Sequence, residues 1–417
     1  MNEDPDRADA FDNAGDRTFA QARALVLAGA HEQAFQHYVQ AADEGHVPST
    51  IEAARMALHG VGTDQDIARA HAWLSDVEPS GHPAAAYHLA WLGAGGVALP
   101  FDTALQARLL AAANGGHPSA LLALAVYFGH KAALEDQQRC LLLLEQAAHA
   151  GHAVAAMLLA ERLAAGEGCR ANPAEAAQLH AQLAAAGHPR LPRVPGDAGT
   201  RLSGSPGVLE LGDLLTTPAA THRCDAPRVA TVDGLLSADE CRLLIAHSLP
   251  RLKRSRAVDP ATGLPREVEL RTSSDATHDP MGEDIAVRLV QARMAAAAGI
   301  PLAHAEQLTV LRYLPGEQYR PHRDYLPPGS RETDKPEAGN RLRTICVYLN
   351  TVGAGGATAF PHGALTIAPR AGRAVIFDNL HADGRPDPDS LHAGLPVEAG
   401  EKWLATLWIR QRPYRTL

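Results

Sequence analysis

The dipeptide Gly-His returns at Gly45-His46, Gly81-His82, Gly116-His117, Gly151-His152 and Gly187-His188, in steps of 36, 35, 35 and 36 residues. So constant a period predicts a helical solenoid, because a helix pair of this length can bury its apolar face only against its neighbours. Within one unit, AVAAMLLAERLAAG after His152 places Ala155, Leu158, Leu159 and Ala160 at helical spacing before Gly166 and Gly168 stop it. Asn172-Pro173 then opens a second helix, with proline suited to a first turn. Frequent alanine lets helices approach closely, and Trp73, Tyr87 and Trp91 are expected to fill the seams. The repeated histidines follow turn glycines and have no partner ligands at coordinating spacing, so turn and cap geometry explains them better than metal binding.

Gly60-Val61-Gly62 followed by Asp64, Ala68 and Trp73 resembles the pattern of Sel1-like repeats, relatives of the tetratricopeptide repeat. The resemblance covers residues 18–190. It implies a protein-interaction surface and leaves the partner unnamed.

At 189–222 the period is lost and Pro, Gly, Ser and Thr accumulate, so residues 191–228 are expected to be a linker, with LELGDLL a short strand or helical turn. From about Val229 the texture changes. Helical segments at 237–249 and 282–299 precede strand-like runs at 308–314, 343–350, 374–377 and 403–409. Helices followed by many short strands predict a helical layer packed on a β-sandwich or barrel over 229–417.

In PHRDY, His322 and Asp324 are two apart, so in an extended segment both side chains point to one side. His392, 70 residues on, would have to arrive from a strand across the sandwich. Two histidines and a carboxylate on one face of an octahedral ion leave the other face open, as non-haem iron(II) oxygenases require. A lone His-x-Asp is a weak signal among 21 histidines. The competitor His381-Ala382-Asp383 is followed only by His392 across a polar run and is read as a loop. Lys402 adds weight. It opens the apolar strand KWLATLWI, where a lysine is costly to bury without an anionic partner, and four of the 38 Lys and Arg residues are lysine. Ten residues after His392, it is expected one strand away.

LTVLRYLPGEQYRPHRDY, RTICVYLNTVGAGGATAFP, PRAGRAVIF and SLHAGLPVEAGEKW, in that order, resemble the prolyl 4-hydroxylase type of iron(II)- and 2-oxoglutarate-dependent dioxygenase. LLSADECRLLI and the Arg271–Ser273 triplet resemble it too. The resemblance implies a double-stranded β-helix, or jelly roll, with a flanking helical layer. It implies iron(II) on His322, Asp324 and His392, and 2-oxoglutarate on Lys402, with Tyr313 and Thr358 lining the cosubstrate pocket. Molecular oxygen is the co-reactant and ascorbate a further expected cofactor. Tyr319, Trp403 and Trp408 are assigned to packing. Two Pro/Gly/charge-rich segments, 258–270 and 326–340, are candidate substrate lids.

Three readings follow. One is a hydroxylase of a prolyl or other residue in a protein gripped by the repeats. Another is a hydroxylase of a free amino acid or other small molecule, and the third is a non-catalytic repeat scaffold. The net charge of -9 gives no reason to expect a nucleic-acid partner. No apolar run approaches the ~20 residues of a membrane span. Five scattered cysteines and an acidic N-terminus without a secretory pattern make a reducing, cytoplasmic location the expectation.

Overall fold

A computed structural model describes residues 5–196, 202, 204–255, 257–258, 265–266, 271–330 and 334–417. The chain divides into two compact units, Met1–Gly93 with Ala98–Ala120, and Ala94–Val97 with Leu121–Leu417.

The first unit contains α1 (Pro5–Leu27), α2 (His31–Asp43), α3 (Val47–His59), α4 (Ile67–Val77), α5 (Pro83–Gly93) and α6 (Thr103–Asn114), each packed against the next along the chain. The turns have the form their residues dictate. Gly45, Gly81 and Gly116 adopt φ of 88°, 71° and 79°, a backbone state that side chains with a Cβ rarely take. His46 then caps α3, its ring nitrogen accepting from Ser49 N at 3.3 Å. His117 instead stacks on Tyr87, ring centres 4.0 Å apart. Tyr38, Ala34, Ala53 and Met56 form a core against which Phe35 and Trp73 pack.

The second unit begins inside the repeats. After α7 (Pro118–Gly129) come α8 (Leu134–His149), α9 (Ala153–Ala165) and α10 (Pro173–Ala185). The expected break at 191–228 is therefore not where the compact units divide. Six of its described apolar residues pack down: Leu191, Val194, Leu202, Leu209, Leu211 and Leu214 are buried, and LELGDLL holds a short 3-10 turn at Leu211–Leu215. Lys131 Nζ donates to the Ser205 and Val208 carbonyls at 2.7 and 2.8 Å. These contacts give an apolar and hydrogen-bonded reason for a Pro/Gly-rich stretch to order.

Two further helices, α11 (Ala238–Ser248) and α12 (Ile285–Ala297), match the expected helical segments. Ser237 closes a capping box with Glu240 at the start of α11, and Asp284 caps α12 through Val287 N, satisfying backbone donors that a helix start leaves open.

The strands are β1 (Thr221–Asp225), β2 (Arg228–Val232), β3 (Lys253–Arg254), β4 (Ala257–Val258), β5 (Pro265–Arg266), β6 (Ser274–His278), β7 (Leu308–Tyr313), β8 (Tyr319–His322) and β9 (Arg341–Tyr348). They continue with β10 (Ala354–Gly355), β11 (Thr358–Phe360), β12 (Leu365–Ile367), β13 (Ala374–Asp378), β14 (His392–Gly394), β15 (Val397–Ala399) and β16 (Lys402–Arg410). One sheet runs β1-β2-β13-β9-β16-β7-β6-β3 and a smaller one β12-β11-β14-β8. Leu311, Tyr348, Val375, Phe377 and Leu404 of the large sheet share a core with Phe360 and Ile367 of the small one. Alternating inward residues from two antiparallel sheets make the jelly-roll sandwich.

Of the two candidate lids, 258–270 lies almost wholly outside the described residues. The described part of 326–340 is tied down. Asn340 exchanges hydrogen bonds with the Leu326 backbone at 2.7 and 3.0 Å, and Lys335 Nζ reaches the Tyr414 carbonyl at 2.7 Å.

Candidate active site

β8 and β14 are neighbours in the small sheet, and His322 stands directly opposite His392 in their antiparallel register. His392 thus arrives from the adjacent strand, not from across the sandwich as its spacing suggested. Asp324 lies just past the end of β8. One donor atom from each of His322, Asp324 and His392 falls within a 4.8 Å cluster, and this is the sole such His/Cys/Asp/Glu group among the described residues.

The hydrogen bonds set the tautomers. His322 Nδ1 donates to the Arg320 carbonyl and His392 Nδ1 to the Ser390 carbonyl, each at 2.9 Å. In a neutral imidazole this leaves Nε2 as a bare lone pair. Those atoms face Asp324 Oδ1 at 3.6 Å and Oδ2 at 3.7 Å. Burial opposes ionisation of Asp324, yet His392, His322 and Arg341 outweigh it and hold the carboxyl well below the usual range. Burial pushes His392 down to about 4. At neutral pH, then, a carboxylate and a neutral imidazole converge, the protonation states a divalent cation needs. Acceptors meeting with no proton between them fit a metal ion.

Lys402 is 2% exposed. It sits in the opposite, large sheet, as the register partner of Tyr313. Its Nζ lies 5.1 Å from the Tyr313 ring and 5.4 Å from that of Tyr348, and no carboxylate pairs with it among the described residues. Burial lowers it to about 8. Gly394 borders the same space, and a Cβ there would come 3.7 Å from Lys402 Nζ. Tyr313 is buried, its hydroxyl engaged by Ser273 and Arg271. Thr358 Oγ1 is 2.6 Å from Tyr348 Oη, which donates to the Ile367 carbonyl at 3.0 Å. With that one phenolic proton committed, Thr358 is the donor to Tyr348. One pocket is lined by His322, Asp324, His392, Lys402, Tyr313 and Thr358 together.

Tyr319, Arg271 and Trp408 line it too; Tyr319 packs on the jelly-roll core as expected and borders the site as well, and Trp403 is buried as expected. Tyr319 stacks on His322 with ring centres 3.4 Å apart, and the Arg271 guanidinium lies 5.2 Å from the Tyr319 ring. A free-standing His-x-Asp motif carries no signal for either. The His381-Ala382-Asp383 competitor lies in a loop, where Asp383 holds Arg385 at 2.6 Å.

A jelly roll whose pocket joins a two-histidine, one-carboxylate face to a buried lysine defines an iron(II)- and 2-oxoglutarate-dependent oxygenase. Residues 308–410 match the 2OG-Fe(II) oxygenase superfamily. Probable prolyl 4-hydroxylase 10 of Arabidopsis thaliana is 33% identical over 208 residues, covering 45% of this chain and 71% of the relative. A viral collagen prolyl hydroxylase of Paramecium Bursaria Chlorella virus-1, solved as its 2OG complex, shares 30% identity over 45% of this chain and 98% of that one, with a TM-score of 0.35. A Sel1 repeat protein of Oxalobacter formigenes shares 23% identity over 37% of this chain and 64% of that one, with a TM-score of 0.34. The chain belongs to the prolyl 4-hydroxylase family of the 2OG-Fe(II) oxygenase superfamily. Its cofactors are accordingly iron(II), 2-oxoglutarate and oxygen.

Proposed function

We propose that the protein hydroxylates a prolyl residue of a protein partner engaged by its helical repeats. The observation that carries the chemistry is the convergence of His322, Asp324 and His392 in the pocket that holds Lys402, which pairs with no carboxylate among the described residues. The first three would hold iron(II), and the ammonium would pair with the far carboxylate of 2-oxoglutarate in a charge-assisted contact. When bound, the metal and cosubstrate would supply oxidation of a C–H bond to C–OH with molecular oxygen as the oxidant, one oxygen atom entering the hydroxyl and the other the succinate formed as 2-oxoglutarate loses carbon dioxide. The chain's own part is orientation and exclusion of water. Tyr319 buttresses one imidazole, Tyr313 and Thr358 line the cosubstrate space, and Phe377 and Leu404 keep it apolar.

The prolyl target rests on kinship with enzymes named for that residue. Recruitment through the repeats rests on α7 to α10 sharing one compact unit with the jelly roll from Leu121 onward. Tethering a target beside a catalytic pocket raises its effective concentration. The test is turnover of 2-oxoglutarate to succinate with prolyl peptides, with free proline and with neither. A +16 Da peptide product supports the proposal. Turnover confined to free proline would favour a small-molecule hydroxylase, and absence of coupled turnover with any acceptor would favour a scaffold.

A further inference from the structure

Asp324 does not stand alone behind the pocket. Its Oδ2 accepts a hydrogen bond from Thr344 Oγ1 at 2.8 Å, and Thr344 Oγ1 in turn accepts from Asn379 Nδ2 at 2.9 Å. The direction of this chain is forced. An ionised carboxylate only accepts, so the single Thr344 hydroxyl proton goes to Asp324, and the amide of Asn379 must supply the next donor. Thr344 and Asn379 are both fully buried and Asp324 nearly so, so no water competes for these bonds.

The relay is anchored on stiff backbone. Thr344 lies on β9, paired with Phe377 of β13 on one side and Trp408 of β16 on the other. Asn379 donates its own N–H to the Leu342 carbonyl and accepts from Asp387 N, both at 2.9 Å. Its Oδ1 is buried with no hydrogen-bond partner, so the amide is held in the sheet by its donor side.

We infer that Thr344, backed by Asn379, is a positioning residue for the metal-binding carboxylate, occupying Oδ2 so that Oδ1 is presented towards His322. This inference rests on the metal-centre reading above. A carboxylate just beyond a strand end has rotational freedom that the relay removes, and outer partners of metal ligands commonly account for about 10- to 100-fold in metal affinity.

The test is titration of the full chain with cobalt(II), read by visible absorption, with apo-protein melting followed in parallel. Thr344→Val removes the hydroxyl while keeping shape, and is expected to weaken cobalt(II) binding about 10- to 100-fold and to alter the absorption bands. Thr344→Ser restores the donor and is expected to return affinity to within about threefold of the parent, a rescue that a packing role would not produce. Asn379→Ala is expected to fall between the two. Parental affinity in Thr344→Val overturns the inference; if that variant does not fold, parental affinity in Asn379→Ala overturns it equally. Failure of the unmodified protein to bind cobalt(II) would instead remove the metal-centre reading itself.

Discussion

His322 and His392 occupy one rung of an antiparallel ladder, their ring centres 4.3 Å apart. Two adjacent strands therefore set the separation of the imidazoles before any ion arrives, and the third donor comes two residues later in the chain. Such preorganisation makes each member hard to replace. His322→Ala, Asp324→Ala and His392→Ala are each expected to abolish measurable iron(II) or cobalt(II) binding and to lower 2-oxoglutarate turnover at least about 100-fold. Metal at 100 times its dissociation constant should stabilise the unmodified protein by about 2.7 kcal/mol, because only the folded state holds the site. Calorimetry with and without metal checks this, and the three variants should show no such gain.

Lys402 gives the site a pH dependence of known sign. Its folded pKa is depressed to about 8 by burial, against 10.5 for an ordinary lysine. Cosubstrate binding needs the charged form, so above pH 8 a proton must be taken up with it. The apparent dissociation constant of 2-oxoglutarate is expected to be flat below that pH and to rise about tenfold per unit above it. Lys402→Arg, which stays protonated, should not show this rise. Isothermal titration in buffers of different ionisation enthalpy reads both the affinity and the proton.

The same residue affects stability in the opposite direction. Below about pH 8 the ammonium is charged in folded and unfolded chains alike, and the folded form bears the full cost of burying it. Between about 8 and 10.5 the folded protein loses its proton first, so cosubstrate-free stability should increase with pH across that window. A depression of this size corresponds to roughly 3 kcal/mol. Lys402→Met is accordingly expected to melt higher than the parent without cosubstrate while losing 2-oxoglutarate affinity. A lower melting temperature for that variant would count against a burial cost.

Much of this site is legible in the amino-acid order because its chemistry uses rare residue types. A lysine at the head of an apolar strand stands out in a chain that prefers arginine, and it is indeed buried. Pairing is less legible. Strand alternation puts Tyr319 and His322 on opposite faces, three residues apart. In the structure three residues of β14 span four of β8, from His392 opposite His322 to Gly394 opposite Tyr319, and that irregularity brings the two rings together. Thr344 is harder still, since it lies 20 residues from Asp324 and nothing local marks a hydroxyl as the partner of a distant carboxylate. The boundary near 190 follows from the end of a periodic pattern, whereas compactness depends on ion pairs that no pattern reveals.

Those ion pairs yield the last prediction. In the second unit, Arg162 of α9 is 1% exposed and donates to Asp239 of α11, and also to Gln137 Oε1 of α8 at 2.5 Å. Arg242 of α11 grips Glu167 through both terminal nitrogens, at 2.6 and 2.7 Å, and reaches the Val194 carbonyl at 3.0 Å. His130 meets Glu240 at 3.1 Å beside them. Removing one member of a buried, hydrogen-bonded charge network leaves its partner without compensation, so Arg162→Ala should destabilise this unit by about 3–5 kcal/mol in denaturant unfolding. A fragment of residues 229–417 takes Arg162 from Asp239, His130 from Glu240 and Glu167 from Arg242, leaving the Asp239–Arg242 pair at 3.2 Å as what remains of the charge network. It is expected to be poorly soluble or unfolded by circular dichroism, whereas a fragment starting at 121 keeps every partner named here and should fold. A well-folded, metal-binding 229–417 fragment would show that the last two repeats are dispensable to the catalytic fold.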